Sequence, residues 1–140
     1  MNPLDEMDRA FSDRPHYILD GTTVLRVSFL TWARWMEQDP DQRIIKQEDV
    51  GDYWVSTVFL GIDHSWGDGP PILFETMVFR RKPGGIDLGG EWQDRCSTYA
   101  EAEAMHKLAC DGVRAGKIPD TREPDAVLPA PGSIILDLDP

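Results

Sequence analysis

The sequence predicts an α+β domain, a mainly antiparallel sheet of about four to five strands with two helices packed on it. Short runs of β-branched and aromatic residues alternate between Tyr17 and Phe79. Two segments, opening at Phe29 and Tyr99, repeat their apolar residues at helical spacing instead. Turn residues separate these runs in the order β-β-α-β-β-β-α, followed by an extended C-terminal tail.

Residues 1–15 are polar and charged and read as an irregular arm; residues 16–116 form the domain. Tyr17–Leu19 and Thr22–Val27 flank Asp20-Gly21, a pair suited to a type I′ hairpin turn. Ser28 is positioned to cap a helix over Phe29–Gln38, with Phe29, Trp32, Ala33 and Met36 on one face. Pro40 disfavours helical geometry at Asp39 and ends that helix. A strand over Arg43–Gln47 leads to a turn at Val50–Asp52.

The central strand, Tyr53–Ile62, carries Tyr53, Val55, Thr57 and Phe59 on one face and Trp54, Ser56, Val58, Leu60 and Ile62 on the other. Both faces are largely apolar, so it is expected inside the sheet and covered on both sides. Its partner is Ile72–Phe79, and a short strand over Glu91–Cys96 follows a glycine-rich crossover. Thr98 and Glu101 form a capping-box pattern, from which Tyr99, Ala102, Met105, His106, Ala109 and Val113 make a buried stripe closed by Gly116. One core is expected to hold Trp54, Val58, Leu60, Phe74, Val78, Ala102 and Ala109. Residues 117–140 include five prolines and no period until Ile134–Leu136, and read as an extended tail.

The formal net charge is −11. Direct binding to a phosphate backbone or anionic lipid needs clustered cations, and the only basic cluster is Arg80-Arg81-Lys82. No apolar run reaches membrane-spanning length, and the N-terminal residues lack the basic start and apolar stretch of a secretion signal. A cytoplasmic protein is therefore expected. Cys96 and Cys110 show neither CxxC nor zinc spacing with histidine and read as two reduced, partly buried thiols. No phosphate loop, GxGxxG, GxSxG or HExxH occurs, so neither cofactor nor bound metal is called for.

The loop Asp63–Pro71 is the most unusual segment, with carboxylate, imidazole and Trp66 between two strands. Asp63, His64, Glu75 and His106 form a candidate acid/base or metal cluster, because hydrolytic metals take mixed imidazole and carboxylate ligands. Against it, adjacent strand residues point to opposite faces, and His106 lies on the apolar stripe, where a satisfied core histidine is the commoner case. In a binding protein the same loop would make the contact through Trp66, with Asp63 and Asp68 beside it.

The run Trp54–Phe79 is distinctive, and with Leu30–Trp35 and Tyr99–His106 it resembles a family of small uncharacterised bacteriophage and prophage proteins. The resemblance spans roughly residues 17–115. It implies a mobile-element origin and a bacterial host cytoplasm, and it transfers no catalytic residue. Small size, acidity and five tryptophans then favour a non-catalytic protein that binds a protein partner, such as a host protein with a basic surface. Its narrowest form is an inhibitor of a host nucleic-acid-handling or defence complex. The alternative is a small metal-dependent hydrolase centred on Asp63 and His64. Oligomeric state is not legible.

Overall fold

The computed structural model describes residues 15–65, 69–118 and 135–137. Its elements are β1 (His16–Asp20), β2 (Thr23–Val27), α1 (Phe29–Glu37), a 3-10 turn (Pro40–Arg43), β3 (Ile44–Val50), β4 (Tyr53–Phe59), β5 (Phe74–Lys82), β6 (Gly85–Ile86), β7 (Trp92–Cys96), α2 (Tyr99–Arg114) and β8 (Ile135–Asp137). The expected order and class hold, and every pairing within the main sheet is antiparallel.

That sheet runs β3-β4-β5-β6, with β7 also on β5. The long β5 accommodates both partners, pairing with β7 over Phe74–Val78 and with β6 at Arg81 and Lys82. The first hairpin stands apart, joined to the main sheet's end by a bridge between His16 and Ile62, and β8 adds a parallel strand to β2. Its turn lies one residue later than expected. Asp20 pairs with Thr23, leaving Gly21 and Thr22 as the loop, and only Gly21 has positive φ. Type I′ needs positive φ at both central residues, so that assignment is excluded.

Ser28 accepts the Thr31 amide at the start of α1, and Thr98 accepts the Glu101 amide at the start of α2. These are the caps read from the sequence, each satisfying an amide that has no partner inside its helix. Trp35 of α1 meets Phe59 edge-on, fastening that helix to the end of the main sheet. Along its length α2 lies across β3, β4, β5 and β7. Met105 and Ala102 join Phe59, Phe74, Leu73 and Trp35 in one cluster, and Ala109 and Cys110 join Val50, Val55 and Val78 in a second.

Pairing fixes which side-chain set α2 covers. Val55 lies opposite Val78, Thr57 opposite Thr76 and Phe59 opposite Phe74, so these six share the helix-covered face. The expected single core therefore needs correction. Phe74, Val78, Ala102 and Ala109 are fully buried, but Trp54 and Val58 point to the other face, and Leu60 is only partly buried. Among the described residues neither helix packs against that second face, so a helix covers β4 on one side and not on both.

Trp66 and Asp68 lie outside the described residues, as do residues 1–14 of the expected arm and most of the expected tail.

Candidate functional site

The structure disperses the four-residue cluster expected from the sequence. Asp63 Oδ1 accepts the amides of Ser65 and Ile72 at 2.8 Å each, and Oδ2 accepts the Ser65 hydroxyl at 2.8 Å. Burial acts to raise this carboxyl, but the three donors outweigh it and hold its pKa below the ordinary value. Asp63 thus ties the two arms of its loop together, with three hydrogen bonds accepted inside the loop. His64 is exposed. Glu75 alternates with the buried Phe74 and Thr76, so it faces the side away from α2, where Arg95 pairs with it at 2.7 Å. His106 is on α2. Glu75 and His106 therefore occupy opposite faces of the sheet, and no single site contains both.

A different set does converge. The 16-residue helix α2 begins at a firm cap, and from it His106 and Cys110, one turn apart, face the sheet. Glu48 reaches them from β3, where pairing with Val55 puts it on the helix-covered face. His106 Nε2 lies 2.9 Å from Glu48 Oε1, and Cys110 Sγ donates to the same oxygen at 3.3 Å. On the ring's other side Nδ1 is 2.7 Å from Thr57 Oγ1, which is 2.5 Å from Thr76 Oγ1. Thr57 and Thr76 are cross-strand partners with no exposed surface, so the sheet register itself holds the imidazole.

Protonation follows from donor supply. Burial moves the His106 pKa down, against the opposing pull of Glu48, so the ring is neutral near pH 7. Hydrogen bonds from His106 and Cys110 keep the Glu48 carboxyl below its ordinary range, so Glu48 is an anion and acts only as an acceptor. The ring's one proton accordingly sits on Nε2 and points at Glu48. Nδ1 accepts from Thr57, which accepts from Thr76. Burial, reinforced by Glu48, pushes the Cys110 thiol up to about 11, and Cys96 stands at about 12 mainly through burial. Both cysteines are free thiols and protonated, and both are buried, more deeply than the partial burial expected from the sequence.

The triad opens into a cavity of about 530 Å³ between α2 and the edge strand β3. Its mouth carries Lys46, Lys107 and Arg114 against Glu103 and Asp111, with Ile45 and Tyr99 on the wall. The cavity thus combines a buried polar floor with a rim of mixed charge, and it does not adjoin the Asp63 loop.

Sequence reasoning included His106 but missed Glu48 and Cys110. The available signal was the four-residue step from His106 to Cys110, which puts imidazole and thiol on one helical face. Glu48 had no such signal, since its place depends on the register of β3. Compared with family models, curated proteins and solved structures, the chain matches none.

Proposed function

We propose that this protein acts by binding a protein partner without catalysis, using the sheet face that neither helix covers. The observation that carries the reading is the composition of that face. Trp54 and Phe79 stack with ring centroids 5.7 Å apart, beside Met77 and Val58, and all four are partly exposed. Arg81 extends over the Trp54 ring and pairs with Asp49, and Arg95 pairs with Glu75. An aromatic centre within a ring of paired charges is the usual anatomy of a protein contact.

The net charge of −11 favours a partner with a basic surface, because opposite fields accelerate encounter. Together with the resemblance to phage proteins, it supports the narrower reading of an inhibitor acting on a host nucleic-acid-handling or defence complex. The Asp63–Pro71 loop, with Trp66 and Asp68, remains a second proposed contact. Hydrolysis centred on Asp63 and His64 has less support, since Asp63 is engaged within its loop.

Met77→Glu tests the face. It places a charge on a partly exposed strand position without opening a buried cavity. Binding to proteins captured by the wild type should weaken by at least about 2 kcal/mol, with thermal stability nearly unchanged. Equal binding by the variant would refute the assignment of this face.

A further inference from the structure

We propose that Glu48, His106 and Cys110 form a binding site for one divalent zinc-like cation, with its fourth coordination position facing the cavity between α2 and β3. This inference is independent of the partner-binding face.

The three candidate ligand atoms lie within 4.8 Å of one another. Tetrahedral zinc with bonds of about 2.0 Å to oxygen and nitrogen and about 2.3 Å to sulfur needs edges of about 3.3 Å between N and O, and about 3.5 Å between S and O. The present separations are 2.9 Å for His106 Nε2 to Glu48 Oε1, and 3.3 Å for Cys110 Sγ to the same oxygen. Replacing the two bridging protons by a cation therefore requires the ligands to part by only about 0.2–0.4 Å along these edges. Glu48 is partly exposed and supplies that movement. The third edge, between His106 Nε2 and Cys110 Sγ, lies within 4.8 Å and settles to about 3.5 Å when the cation is bound.

Chemistry agrees with geometry. Imidazole, thiolate and carboxylate together suit a borderline cation, and a calcium- or magnesium-type site would call for oxygen ligands alone. On binding, Cys110 releases its thiol proton to solvent. The imidazole keeps one proton, which moves from Nε2 to Nδ1. The charges of the thiolate and of Glu48 then balance the dication, leaving no net charge at this half-buried place.

Thr57 completes the arrangement as a positioning residue. With Nδ1 protonated, the ring donates to Thr57 Oγ1, and the Thr57–Thr76 hydroxyl pair reverses its direction of donation. Such an outer contact on a ligating histidine fixes its tautomer and ring plane. Lys46, 3.6 Å from Glu48 Oε1, and Arg114, 4.0 Å from Oε2, are internal competitors for the carboxylate; both are more than half exposed and can swing into solvent as the cation enters. With three protein ligands, the remaining position is accessible to water or a small donor entering the cavity, as in open rather than closed zinc sites.

Cobalt(II) added to chelator-treated, full-length protein near neutral pH is the direct probe. The expected result is one tightly held cobalt with sulfur-to-metal charge-transfer absorption and tetrahedral visible bands, both removed by zinc. Cys110→Ser should abolish the charge-transfer band, Cys96→Ser should retain it, and Glu48→Gln should weaken binding at least about tenfold. Absence of a charge-transfer band in the wild type, or its persistence in Cys110→Ser, would overturn the proposal. Should Cys110→Ser fail to fold, X-ray absorption of the zinc-loaded wild type decides the matter. One sulfur among nitrogen and oxygen neighbours supports the site, and a shell without sulfur overturns it.

Discussion

Thr57→Val is the sharpest probe of how the buried polar chain is held. Valine matches threonine in shape, so no cavity opens, and only the hydroxyl is lost. That hydroxyl donates to His106 Nδ1 and accepts from Thr76, at a residue with no solvent exposure. Its removal strands one buried acceptor and one buried donor, at about 1–3 kcal/mol each. The added methyl recovers about 0.8 kcal/mol. The expected net loss is about 1–5 kcal/mol, and at about 3 °C per kcal/mol for a chain of this size the melting temperature falls by about 3–15 °C. Thr76→Val removes one donor but leaves Thr57 bonded to the ring, so it should cost less, about 0.5–1.5 kcal/mol. Urea unfolding of both variants, with m-values compared against wild type, measures the difference. A Thr57→Val cost below about 1 kcal/mol, or a larger cost for Thr76→Val, would refute the chain direction derived above.

Phe74→Ala should cost about 3–5 kcal/mol by denaturation, because Phe74 is fully buried between Phe59 and Tyr99; a loss under about 1 kcal/mol would mean that the covered face is misassigned. Gly61→Ala should cost at least about 2 kcal/mol, since φ is +77° and the new Cβ would stand 2.9 Å from Trp32 Nε1; thermal melts showing no loss would contradict the close approach of α1 to this turn. Asp63 has a lowered folded-state pKa, so its contribution is complete above the unfolded value near 4 and disappears as pH falls through the folded value. Acid titration of stability should therefore show wild type losing its advantage over Asp63→Asn below about pH 4, and a constant difference between them across that range would argue against the loop clasp.

Periodicity and capping chemistry carried most of the fold. The Thr98–Glu101 pattern located the start of α2 because an orphan helical amide calls for a hydroxyl at that place, and the structure supplies that bond at 3.1 Å. Strand alternation separated Val55, Thr57 and Phe59 from Trp54 and Val58, but it could not say which set the helix covers. Both sets are apolar, and the choice is made by long-range packing of α2. Hairpin register was misplaced by one residue because Asp20-Gly21 and Gly21-Thr22 are both acceptable turn pairs, and the cross-strand partners decide between them. The candidate site was less legible. His106 was visible as part of a stripe, but its bonds to Thr57 and Glu48 join residues 49 and 58 positions apart. Such juxtapositions belong to topology and leave no local period.

The two sheet faces impose opposite demands on one set of strands. On the covered side, small residues of α2 such as Ala102 and Ala109 bring the helix close, excluding water and making every polar group there depend on an internal partner. Thr57, Thr76, His106 and Glu48 meet that demand as a chain, and each bond is set by strand register and helix position. On the side that neither helix covers, Trp54, Phe79, Met77 and Val58 stay partly exposed, and among the described residues arginine–carboxylate pairs flank them. Leaving that much aromatic surface wet has a cost in stability that the densely packed α2 side must offset. On the two proposals above, the exposed aromatic face serves a partner's contact, and the buried polar chain serves a cation held beneath α2. These are separate physical requirements on opposite sides of β4.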